Sequence, residues 1–203
     1  MNEKRVKEKT SEAIWNVRAA MLIFLIDINI LGLDIIFDFF GWMCLLGTVD
    51  ILEGTVPSIE RIRGFGKVLL WYEVALVVLN YIGDRIPFYN AVSPYIAIFI
   101  LCIRIYFMYI MLTAIADVGA EQGGEADTIK GVRRSRNRVL LAELAVYLAT
   151  AIEGTEKVGG WLWIPTIAYF LFYIGCILQL SCLKEEVENW EKAQLEPVEE
   201  STT

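Results

Sequence analysis

Seven ionisable residues, Asp27, Asp34, Asp38, Asp50, Glu73, Arg104 and Glu143, stand within or at the edges of apolar stretches. Charge in such surroundings is expensive and by default carries function. Arg104 is the deepest. It is the one charged residue of the stretch 94–116, and the helical rise from Pro94 puts it roughly 15 Å inside. A lone guanidinium at that depth costs a great deal, so Arg104 is expected to meet a carboxylate, with Glu73 or Glu143 the first candidates and Asp50 a further member of the network. Two roles are open to such a network: an ion pair that fixes helix packing, or a station for ion or solute passage.

The densest group of polar residues lies in 27–42, DINILGLDIIFDFFGW. Asn29 and Gly32 suit a tight turn, because both tolerate left-handed backbone. Asp34 falls where a carboxylate can cap a helix start, and Asp38 follows at the spacing that shares its helical face. Against the calcium-loop template D-x-[DN]-x-[DN]-G-x5-E, the segment offers Asp27, Asn29, Gly32 and, at the twelfth position, Asp38. Leu31 occupies the fifth position and cannot ligate, and aspartate stands where the template has a bidentate glutamate. Asp27, Asn29, Asp34 and Asp38 are therefore a candidate cation site set against a simpler reading as turn and cap.

The same stretch resembles a motif of small multi-pass membrane proteins of Gram-positive bacteria, in which an INIxGID turn leads into PDFIGW or PDFIGY. Asp34, Asp38, Phe39, Gly41 and Trp42 match it, while Phe37 stands where proline is usual. The resemblance is confined to 27–42 and implies a membrane fold without implying a reaction.

Other chemistry finds little support. The chain has no histidine. Its four cysteines, Cys44, Cys102, Cys176 and Cys182, fall in apolar segments without C-x-x-C spacing and read as small core residues. G-x-S-x-G and glycine-rich phosphate loops are missing, so an enzyme is not expected, and no cofactor is implied. The formal net charge of -7 owes much to glutamates near the end of the sequence and disfavours nucleic acid as a partner.

The elements that would hold these residues are helices in lipid. Hydrophobic residues make up 56% of the 203, with a mean hydropathy of +0.50, above the usual soluble range. The stretch 161–183 carries no charge at all and is long enough to cross the ~30 Å hydrocarbon core as a helix. Six apolar segments are expected, at 17–31, 33–52, 68–82, 94–116, 139–152 and 161–183. Asp27 and Asn29 stand where a signal-peptide cleavage region would fall, so the first is read as an uncleaved span. The fifth is short for a crossing and the first is little longer; local thinning of the bilayer, extension of the fifth helix through Arg136 and Arg138, or a partly re-entrant first hairpin would each resolve this.

Every Lys and Arg except Arg85, Lys157 and the mid-span Arg104 falls on one side of this layout. That asymmetry places both termini in the cytoplasm. The expectation is thus an all-α polytopic bundle of about six spans in a bacterial cytoplasmic membrane. Residues 1–183 form the membrane domain, 117–138 a flexible cytoplasmic loop and 184–203 an acidic cytoplasmic tail. The favoured function is an accessory or scaffolding subunit, with a homodimer or another membrane protein as partner alongside the bilayer. The alternative is a small ion- or proton-coupled transporter or channel using the intramembrane Asp, Glu and Arg residues.

Overall fold

The computed structural model describes residues 3–26, 34–82, 87–153 and 163–195, and all regular structure among them is helical. Six helices follow one another: α1 Glu3–Ile26, α2 Asp34–Leu52, α3 Pro57–Ile82, α4 Pro87–Glu121, α5 Ala126–Glu153 and α6 Trp163–Leu195. Proline opens both α3 and α4, at the position where a missing N–H costs nothing and the fixed φ already suits a helix.

Each helix packs on the next in sequence, and α6 returns to pack on α1, so the six close into a ring with α1 and α4 touching across it. Side-chain pairs fix the antiparallel register. Between α4 and α5, Arg104 meets Glu143, Thr113 meets Arg136, and Asp117 meets Arg133. Between α1 and α6, the Ser11 hydroxyl donates to the Glu188 carboxylate at 2.8 Å.

The core runs down the ring. Trp42 of α2 is fully buried between Phe24 of α1 and Phe107 of α4, with ring centroids 5.2 and 5.5 Å away. Gly41 makes this approach possible, because a Cβ there would lie 2.5 Å from the Phe24 ring. Toward the end where α1 begins and α6 stops, which is also the basic end, the ring is filled by Met108, Met111, Leu112, Ile115, Leu183 and Val187.

Two expectations about this end are corrected. The stretch 117–138 is not a loop: α4 runs to Glu121, α5 starts at Ala126, and four residues join them. Of the glycines that suggested a loop, only Gly123 among the four adopts a left-handed φ, of 83°, and Gly124 N donates to Gly119 O at 2.9 Å in a helix-ending turn. Gly119 and Gly131 instead let α6 come close, Gly119 against Leu183 and Gly131 against Gln179. The stretch from 184 is likewise no simple tail, since α6 continues to Leu195, buries Val187 and binds Ser11 through Glu188. The fifth helix does extend through Arg136 and Arg138, reaching 28 residues.

Among the described residues, two helices are long and apolar enough to cross a membrane, within Val92–Glu121 and Trp163–Ala193. Only 28% of the most apolar window of each is buried inside the protein. Tyr95, Phe99, Leu171 and Leu178 lie open to the surroundings, as do Trp71 of α3 and Leu141 of α5. A helix at the core of a soluble protein would be mostly covered; these two are mostly not.

Candidate functional site

The deepest charge lies where three helices meet. Arg104 is near the middle of α4, and its Nε is 2.6 Å from Oε1 of Glu143 on α5. Its Nη1 is 3.9 Å from Oδ2 of Asp38 on α2. The guanidinium also lies over two rings, 5.1 Å from the centroid of Phe24 and 5.7 Å from that of Trp42. This is cation–π geometry in a desolvated place, where it contributes most. All three charged side chains are largely covered, with Glu143 the most buried at 9% exposure.

Local sequence explains the arrangement. Asp38 and Trp42 are one helical turn apart on α2, so a carboxylate and an indole present together toward Arg104. On α5, Glu143 and Tyr147 share the same spacing, with Thr150 a further turn along. On α6, Tyr169 and Tyr173 repeat it, their rings 4.5 Å apart. Three helices thus each turn a polar and an aromatic group inward.

These groups border a cavity of about 380 Å³. Arg104, Glu143 and Asp38 give it a charged wall. Phe24, Leu25, Leu101, Val146 and Phe170 make the rest apolar, and Tyr147, Thr150 and Tyr169 supply hydroxyls. The size and the mixture of apolar lining with a few convergent polar groups are those of small-molecule sites. The cavity occupies the half of the ring away from the basic end, beyond the Trp42 layer.

The carboxylates expected near Arg104 divide. Glu143 is brought to it and Asp50 is not. Asp50 lies at the end of α2, where it and Glu53 clasp Arg63 of α3; the two guanidinium contacts to Glu53 are both 2.9 Å. Both carboxylates hold the Arg63 pKa above its ordinary value, Glu53 first. Glu73 is buried on α3 and is not among the carboxylates paired with Arg104. Of the candidate cation loop, Asp27 and Asn29 lie outside the described residues, and Asp34 opens α2. Asp38 faces Arg104. Among the described residues, no group of three or more Cys, Asp or Glu is placed to hold a metal ion.

The tyrosines Tyr147, Tyr169 and Tyr173 were not singled out from sequence, although the i, i+4 pairing of Glu143 with Tyr147 and of Asp38 with Trp42 is a signal that marks both faces. Comparison with known proteins found no matching family model, no matching curated protein and no matching solved structure. What fold and site define together, among the described residues, is a set of helices with apolar outer faces and a charged cavity between them.

Proposed function

We propose that this chain is a multi-pass protein of the cell membrane that binds a small cationic or zwitterionic solute in the Arg104 cavity and takes part in its passage. The six helices cross as an up-and-down ring, with the start of α1 and the end of α6 in the cytoplasm. The cavity then opens toward the outside, above a cytoplasmic half filled by side chains.

One observation carries the reading: an arginine midway along an apolar helix shares a cavity wall with two carboxylates. When all three are ionised the trio holds one more negative charge than positive. In a low-dielectric site that excess is relieved by a proton or by a bound monovalent cation, so the two compete for one place. An ammonium group would sit against Asp38 and Glu143, the carboxylate of a zwitterion against Arg104, and the apolar remainder against Leu101 and Val146. A cavity of this kind favours solute binding over a purely scaffolding role, for which packing alone would suffice.

Trp42 is a built-in reporter, because its ring already touches the guanidinium. The full chain, reconstituted in vesicles, would be titrated with ammonium, tetramethylammonium and glycine betaine while tryptophan emission is recorded. At least one probe should give a saturable change that disappears in Trp42→Phe and weakens in Glu143→Gln. A response to every probe that is linear and independent of Trp42 would contradict the proposal.

A further inference from the structure

The most informative surface outside the cavity is the exposed face of α5. Arg134 and Arg138 are one turn apart and exposed, and among the described residues neither has a carboxylate within ion-pair distance. Arg133 and Arg136, by contrast, turn toward α4: Arg133 pairs with Asp117 at 2.7 Å, and Arg136 donates to Thr113 and lies 4.1 Å over the Tyr109 ring. Lys130, a further turn along, is 3.6 Å from Asp127 and has its charge partly met.

The register against α6 sets the depth of the two free guanidiniums. Arg138 lies 5.9 Å over the Phe172 ring, and Gly131 abuts Gln179. Arg134 is therefore level with the part of α6 between Phe172 and Gln179. That part exposes Ile174 and Leu178, at 43% and 59%, and the first charged residue of α6 beyond it is Lys184. By helical rise, Arg138 stands roughly 18 Å inside the point where α6 first meets charge. Two exposed cations are thus held beside a neighbour built for hydrocarbon. Past them the α5 face turns apolar at once, with Leu141 67% and Leu148 52% exposed.

We infer that this α5–α6 groove is a binding site for an anionic phospholipid of the inner leaflet. The inference rests on the membrane reading above and is independent of the cavity. Arg134 and Arg138 grip the phosphate, a task suited to guanidinium forks, and the headgroup is drawn inward to their level. One acyl chain runs inward from the phosphate along the exposed Leu141 and Leu148 of α5, while Ile174 and Leu178 of α6 stand level with the headgroup. A soluble acidic partner would satisfy the charges but would have to enter the hydrocarbon to reach them; one phospholipid supplies both the anion and the apolar chain.

The test uses the full chain in mild detergent and in vesicles. Native mass spectrometry would count bound dioleoyl phosphatidylglycerol against dioleoyl phosphatidylcholine, with sn-glycerol 3-phosphate as the water-soluble control. Two guanidiniums that both grip one phosphate correspond to a preference of roughly tenfold or more for the anionic lipid. That preference should fall toward unity in the double variant Arg134→Gln, Arg138→Gln and persist in Arg133→Gln, whose side chain faces α4. Equal retention of the two lipids by the native chain, or an unchanged preference in the double variant, would overturn the site. So would occupancy by glycerol phosphate that matches the lipid. A chain that floats with vesicles without lipid preference loses this inference alone, whereas one stripped from vesicles by alkaline wash loses the membrane reading too.

Discussion

Arg104 is tolerable only because its partners are in place. Removing one member of a buried pair leaves the other charge unmet, which typically costs about 3–5 kcal/mol. Glu143→Ala is therefore expected to lower unfolding free energy in mixed micelles by that order, and Glu143→Gln by less, since the amide still offers an oxygen to the guanidinium. A loss below about 1 kcal/mol for Glu143→Ala, within the range of an exposed pair, would mean that water reaches the trio freely.

A second carboxylate makes the opposite kind of test, because it lies outside the apolar stretches. Lys184 and then Ser11 hold the Glu188 pKa below its ordinary value. A lowered folded pKa contributes stability that is present above the unfolded value and lost as pH falls through the folded one. The native chain should exceed Glu188→Gln in melting temperature at neutral pH, and the gap should close as the solution is acidified below the usual carboxylate range. The gap should be small, because the pair is partly exposed. A gap that widens on acidification would contradict the assignment.

Among helices, one tight joint is Gly41 against the Phe24 ring. A methyl group placed 2.5 Å from that ring must push α1 from α2 or move the ring off its rotamer. Overpacking of this sort costs about 1–3 kcal/mol, so Gly41→Ala should destabilise by that amount in the same micelle assay. Phe24→Leu should recover part of the loss, because it empties the space the methyl needs. Equal losses with and without Phe24→Leu would show that the two helices do not meet there.

The helices were only partly legible in the sequence, and the misses share a cause. Glycine and charge between 117 and 138 suggested a loop, but glycine serves close packing as well as turning, and nothing local distinguishes Gly131 against Gln179 from Gly123 in its turn. The α6 extension past Lys184 was obscured by its charges, since they are spent on partners far off in sequence, such as Ser11 and Thr128. The Arg104–Glu143 pair was legible because each charge stood alone in an apolar stretch. Asp38 was not assigned to Arg104, because a local turn template absorbed it while its partner lies on α4. Asp50 was assigned inward although Arg63 stood nearby across a short link, where local pairing is the cheaper solution. The place of Trp42 in the 27–42 motif is explained once Phe24, Phe107 and Arg104 surround it.

At the scale of the whole molecule, the proposed function makes a single topological prediction: Thr150 should face the outside of the cell through the cavity, and the α4–α5 link should face the cytoplasm. Thiol labelling reads both at once. In a background with Cys44, Cys102, Cys176 and Cys182 replaced by serine or alanine, Thr150→Cys and, separately, Glu125→Cys would be exposed to a membrane-impermeant maleimide in intact cells and after lysis. Thr150→Cys should react in intact cells, and prior addition of a cation that saturates the Trp42 signal should slow it. Glu125→Cys should react only after lysis. Labelling of Glu125→Cys from outside, or a Thr150→Cys that reacts only once the cells are opened, would contradict both the orientation of the ring and the outward cavity on which the proposed function rests.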